Sequence, residues 1–162
     1  MGKKLKVAFA MGGGASRGAF SGGAISEVMR QLHTNLDRSV YDSVEIDVLS
    51  GASAGGMTLG LLVRGLADPA NDSDVVAVER VRNLMRRAWV EEIDIERLVP
   101  RPDMTDRASL FDRGAVDSIA RDVISWRAGE KPRPRFLAHR VCLGLSLLNY
   151  NGIPISLSPD PA

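Results

Sequence analysis

At 162 residues the chain is one ordinary domain long, enough to bury a real core, and its 44% hydrophobic and 25% charged content is that of a soluble globular protein. A formal net charge of +1, from 21 basic and 20 acidic residues, provides no overall field for nucleic acid or an anionic membrane. A single cysteine, Cys142, excludes an internal disulfide, and no apolar run reaches the roughly 20 residues of a membrane span.

The basic start, residues 1–6, leads into a stretch too short and glycine-rich for a secretory signal. Lys6 stands where an N-myristoylation motif wants Ser or Thr. A cytoplasmic protein, at most peripheral to a membrane, is the expectation. Residues 5–11 are a short apolar run ending in glycines, the pattern of a buried parallel strand. Phe20, Ala24, Ile25, Val28, Met29 and Leu32 recur at helical spacing, which predicts a helix with those residues inward. It closes at His33, whose ring would meet the negative end of the helix dipole. A polar connection, 34–43, leads to a second strand at 44–49, a sharp turn at 51–56 and a buried helix at 57–66. Strand, helix, strand, helix predicts a right-handed crossover and a parallel sheet covered on both faces.

Beyond the loop 68–74, residues 75–92 read as an amphipathic helix with Val78, Val81, Leu84, Met85 and Trp89 inward. Asp112 is placed to cap a helix over 113–126, and the basic, proline-containing stretch 127–140 reads as an exposed loop. Residues 141–148, with Cys142 buried, are a third strand candidate, joined by the Asn151-Gly152 turn to 153–156. Trp89 and Trp126, at helical positions, read as core.

Two segments carry chemistry. Gly51-Ala52-Ser53-Ala54-Gly55 lies between a strand and a helix. A serine at such a turn is held in a strained conformation that pushes its hydroxyl out at the carboxyl end of the sheet. Strand and helix approach closely there, so its neighbours must be small, and the Ala54 amide faces the substrate carbonyl oxygen at the positive end of the helix. The second segment, Gly12-Gly13-Gly14-Ala15-Ser16-Arg17-Gly18, also leaves a strand and opens a helix. Its amides suit an anion, either a phosphate or an oxyanion. No Gly-Lys-Ser/Thr follows, and Arg17 stands where a dinucleotide fingerprint needs glycine. Gly22 and Gly23 permit close helix–sheet contact. Parallel neighbouring strands deliver both segments to one sheet edge, and a serine hydroxyl beside a nest of amides is an acyl-transfer arrangement.

The glycine loop with Arg17-Gly18, a helix, and then residues 46–55 around Ser53 together resemble the patatin-like phospholipase family, most specifically over residues 5–66. Residues 143–155 are similar to that family's mid-domain hairpin. Two departures stand out. Ala15 and Ser16 separate Gly14 from Arg17 where the family usually has one residue, so either Gly13-Gly14-Ala15 replaces the three glycines or the loop is one residue longer. Ala52 replaces the more usual threonine.

The resemblance implies a three-layer α/β/α domain over residues 1–162 around a mostly parallel sheet. It also implies a serine lipid acyl hydrolase with Ser53 as nucleophile. Gly12, Gly13, Gly14, Ala15, Arg17, Gly18 and Ala54 would form the oxyanion site, and Gly51 and Gly55 the nucleophile turn. Arg17 would hold the loop in shape. No metal or organic cofactor and no nucleic acid partner is implied; the partner is a lipid or acyl ester, with transient membrane-surface contact. The family's base is an aspartate in an Asp-Gly-Gly or Asp-Gly-Ala motif, and no Asp-Gly dipeptide occurs here. The expectation is a truncated, inactive fragment; the alternative is a lipid- or partner-binding module without the base, and a weaker one is nucleotide binding at the glycine loop. His139, beside Arg140, reads as a solvated loop histidine and Asp160 as a tail residue.

Overall fold

The computed structural model describes residues 2–14, 17–93, 114–121 and 134–146. In chain order the elements are β1 (Lys4–Met11), α1 (Gly18–Asp37), β2 (Ser43–Ala52), α2 (Ala54–Leu66) and α3 (Asp74–Arg86), which runs straight into a π-helical turn (Arg87–Glu92). A short α4 (Gly114–Ile119) and β3 (Leu137–Ser146) follow. The strands form one parallel sheet in the order β1-β2-β3. The chain is therefore α/β with a parallel sheet, as its alternation of elements predicts. Among the described residues no helix is long and apolar enough to cross a membrane.

Register places the functional edge. Met11 pairs with Gly51 and Ala52 with Ser146, so the carboxyl ends of all three strands lie level. Val7 faces Ile46 but Ala8 faces Val48, leaving Asp47 as an extra residue, a bulge in β2. Ahead of and at the bulge, Glu45 and Asp47 pair with Lys4 (2.7 Å) and Lys6 (3.0 Å), fixing β1 against β2 on the exposed sheet face.

α2 is buried nearly all round because it has the sheet on one side and α3 on the other. Leu59, Leu62 and Leu66 are fully buried with Met29, Ile46, Leu49 and Val81. Each such side chain contributes about 1.5–3 kcal/mol by leaving water. A β-carbon on Gly65 would lie 2.7 Å from Val81 Cγ2, so the α2–α3 crossing requires glycine there. The carboxyl end of α2 is closed by a polar cluster. Asn71 Nδ2 donates to the Gly65 (2.9 Å) and Leu66 (3.1 Å) carbonyls, and its Oδ1 accepts from Arg80 Nε at 3.1 Å. Asp68 accepts from Arg64 and from the Ala70 amide. Burial raises the Asp68 pKa, but the Ala70 amide, Arg64 and Arg80 outweigh it and hold the carboxyl below its ordinary range. Arg135, just before β3, donates its amide to the Leu66 carbonyl at 2.8 Å.

Several boundaries and faces differ from expectation. α1 continues past His33 to Asp37, whose carboxylate lies 3.3 Å from the His33 ring. Its buried face is Gly18, Gly22, Ile25 and Met29, whereas Phe20, Ala24 and Val28 are exposed. Ile25 and Met29 are buried as expected, and the rest of the inner face is Gly18 and Gly22, which turned inward because they take a bulky partner, Trp89. β3 begins at Leu137 rather than 141, so His139 lies on a strand, exposed. Cys142 is exposed because it pairs with Val48 on the open sheet face. Burial alternates along β1, with Lys4, Lys6, Ala8 and Ala10 exposed, so among the described residues one sheet face is covered. Asp112, most of the 113–126 helix with Trp126, the Asn151-Gly152 turn and Asp160 lie outside the described residues.

Candidate active site

β2 ends at Ala52 and α2 begins at Ala54, so the whole turn is made by Ser53. Its backbone adopts φ 51°, ψ −124°, outside even the left-handed helical well. The carbonyl nevertheless starts α2, accepting from the Met57 amide at 3.0 Å.

A serine preceding a helix ordinarily turns its oxygen back onto the first-turn amides. Ser73 does so ahead of α3: with extended backbone (φ −146°, ψ 166°) its Oγ accepts from the Val76 amide at 3.4 Å. Ser53 makes no such bond and is exposed. The strained backbone withholds its hydroxyl from capping and presents it to solvent at the level sheet edge. The amides of Ala54, Gly55 and Gly56 are left as the first N–H groups of α2, without intrahelical partners and at the positive end of the helix.

The turn closes only because its residues lack side chains. A β-carbon on Gly51 would lie 2.8 Å from both Gly56 N and Cα. One on Gly55 would overlap the Met11 carbonyl oxygen and lie 2.7 Å from that of Gly12. The start of α2 thus rests directly on the end of β1, where the glycine loop departs. Gly13 brings that loop to the serine: its β-carbon position is 3.1 Å from Ser53 Cβ and 3.3 Å from the Ala52 carbonyl oxygen. Gly12 and Gly13 are exposed beside Ser53.

Gly14, at φ 150°, turns the loop, and its carbonyl accepts from the Arg17 amide at 2.9 Å. The Arg17 stem lies over Gly14, with Cδ 3.0 Å from that residue's β-carbon position. Arg17 therefore folds back on the loop, while Gly18 opens α1 and is buried. Ala15 lies outside the described residues, so the alternatives for loop register stand as the sequence left them.

Gly13 is brought against Ser53, and Gly51, Ala54 and Gly55 with the end of β1 and Gly12 surround the same turn, while Gly14 and Arg17 lie against each other and Gly18 lies against Trp89. His139 is not at that turn: it lies toward the start of β3, whereas the strand's last residue, Ser146, is the one paired with Ala52. The carboxyl groups with lowered pKa, Glu27 and Asp68, also lie elsewhere. Glu27, exposed on α1, is held at about 2 by hydrogen bonds from Arg30 and Gln31. Among the described residues no cluster of His, Cys, Asp or Glu could hold a metal ion.

One contact escaped the sequence. Gly18 and Gly22 receive the Trp89 ring, while Gly23 faces open space rather than the sheet. The Gly18-x-x-x-Gly22 spacing was the available signal, since it clears one helix face for a bulky partner.

A family model described as patatin-like phospholipase matches residues 9–146, a span that includes the glycine loop, Ser53 and all of α1 to α3. No curated protein and no solved structure matches the chain.

Proposed function

The chain belongs to the patatin-like phospholipase family, whose members are lipid acyl hydrolases, and from that premise we propose that Ser53 is the nucleophile of an acyl-ester hydrolysis. The observation that carries this is the Ser53 backbone, φ 51° and ψ −124°, which frees the hydroxyl from capping beside the Gly13 backbone. Ser53 Oγ attacks the ester carbonyl, and the amides of Gly13, Gly14 and Ala54 stabilise the oxyanion, each such donor contributing about 10²–10³ in rate. The intermediate collapses by breaking the ester C–O bond, the alcohol leaves with the proton that the base took from Ser53, and water then cleaves the acyl-serine bond to give the free acid and Ser53. The substrate is a lipid ester met transiently at a membrane surface by a cytoplasmic protein; phospholipid, lysophospholipid and neutral acylglycerol all fall within the class.

The resemblance implies as base an aspartate in an Asp-Gly-Gly or Asp-Gly-Ala motif, and no Asp-Gly dipeptide occurs in these 162 residues. These 162 residues by themselves are therefore expected to turn over esters negligibly, since a serine needs a partner to take its proton. Clear Ser53-dependent turnover of a short-chain p-nitrophenyl ester by them would overturn that expectation. A second reading is a lipid- or partner-binding module that retains the pocket without the base, and what favours it is that no Asp-Gly dipeptide occurs in this sequence. Fluorophosphonate treatment of the full-length protein separates the two. An adduct on Ser53 supports the hydrolase; an unlabelled Ser53 in folded protein supports the binding module.

A further inference from the structure

α1 starts one residue after Arg17, so whatever fixes the first turn of α1 also fixes the far end of the glycine loop. At Gly18 that turn is packed against the Trp89 ring. A β-carbon on Gly18 would be in steric overlap with the six-membered ring of Trp89, at Cε3 and Cζ3, and one on Gly22 would lie 3.0 Å from Trp89 Cδ1. The indole thus lies along the bare backbone of two successive turns of α1. Trp89 is 9% exposed, and its Nε1–H is buried with no hydrogen-bond acceptor among the described residues. A buried donor left unsatisfied calls for an explanation, and shape supplies one here. The ring fills the Gly18–Gly22 slot while its N–H goes unpaired. Trp89 also sits within the π-helical turn Arg87–Glu92, a local departure from regular helix that recurs at functional sites.

The glycine loop is anchored at its other end by the close approach of Gly55 to the Met11 and Gly12 carbonyls, which leaves no room for a β-carbon. With both ends held, Gly13 stays against Ser53. Resting on the assignment of Ser53 as nucleophile, we infer that Trp89 is a positioning residue for the oxyanion site: its ring, seated on Gly18 and Gly22, sets where α1 begins and so holds the glycine loop beside Ser53. Removing the ring lets α1 settle toward α3 and draws Arg17 and Gly14 with it. Adding a methyl group at Gly18 pushes α1 the other way.

The test compares full-length wild type, Trp89→Leu, Trp89→Phe, Gly18→Ala and Gly18→Ala/Trp89→Leu, each shown folded by urea titration under the assay conditions. Two readouts are the rate constant for fluorophosphonate labelling of Ser53, and kcat and KM for a short-chain p-nitrophenyl ester. A displacement on the order of 1 Å in an oxyanion site costs about 100-fold. Trp89→Leu and Gly18→Ala are each expected to slow labelling by about 10- to 100-fold. Trp89→Phe, which keeps a ring, should slow it less and serves where the leucine variant does not fold. The loss should fall on kcat with KM nearly unchanged, because these amides act on the transition state. The double variant should label no slower than Trp89→Leu alone, since the clash of the added methyl is with the ring that this variant lacks; independent effects would instead multiply. Folded single variants labelling within about twofold of wild type overturn the inference while leaving Ser53 as nucleophile, as does a multiplicative double variant. An unlabelled wild type overturns both.

Discussion

Replacing Ser53 with glycine is expected to stabilise the protein while abolishing its labelling. At φ 51°, ψ −124° an L-residue is held at a cost of about 1–3 kcal/mol. Ser53→Ala keeps the β-carbon and hence the strain, and it forfeits no capping hydrogen bond because none is made. The alanine variant should therefore lie within about 0.5 kcal/mol of wild type. Ser53→Gly removes the β-carbon and relieves the strain, against about 0.5–1 kcal/mol for the greater chain entropy of glycine. The net gain is about 0.5–2 kcal/mol, with Tm rising roughly 2–4 °C per kcal/mol for a chain of this length. At an ordinary exposed position the alanine variant would be the more stable, so the order of the two reads the strain directly. Urea denaturation of both, followed by tryptophan fluorescence, supplies the comparison. A Ser53→Gly midpoint below that of Ser53→Ala would refute the claim that strain at this turn holds the hydroxyl out.

Gly55→Ala should cost at least about 2 kcal/mol and abolish Ser53 labelling, because the new methyl group overlaps the Met11 and Gly12 carbonyls and must displace backbone; a melting curve with the fluorophosphonate assay checks both. Asn71→Ala leaves two carbonyls at the end of α2 without their buried donor, for a loss of about 2–4 kcal/mol measured by urea titration. Asp68 has a depressed folded pKa, so its stabilisation is present above the ordinary carboxyl value of 3.8 and is lost as pH falls below that value through the folded one. Asp68→Asn should flatten the acid limb of stability against pH; an unchanged limb would place that protonation elsewhere.

Much of this site could be read without coordinates, because local backbone chemistry specifies it. Glycines at 51 and 55 around Ser53 announce a tight turn, and a β-carbon at either would strike backbone, at Gly51 that of Gly55 and Gly56 a few residues along the chain. The loop at 12–14 is legible for the same reason. Helix faces were less accessible. On α1 spacing selects Phe20, Ala24, Ile25, Val28, Met29 and Leu32; Ile25 and Met29 are buried as read, but Phe20, Ala24 and Val28 are exposed and Gly18 and Gly22 complete the inner face. β3 began four residues early because Arg135, its amide bonded to the Leu66 carbonyl, ties the strand entry to the end of α2. That is a long-range contact with no local signature. Cys142 was placed inside for its strand pattern, yet it is exposed on the sheet face that carries the Lys4–Glu45 and Lys6–Asp47 pairs.

The sequence by itself determined the order of the described elements, the turn at Ser53 and the glycine loop after β1, since glycine content and apolar period act through neighbouring residues. Only the tertiary structure decided that the strand ends lie level, that Gly13 stands beside Ser53, and that Trp89 seats against Gly18. Those follow from hydrogen-bond register across the sheet and from which helix face finds a partner of the right shape, and both are settled by packing between segments far apart in the chain.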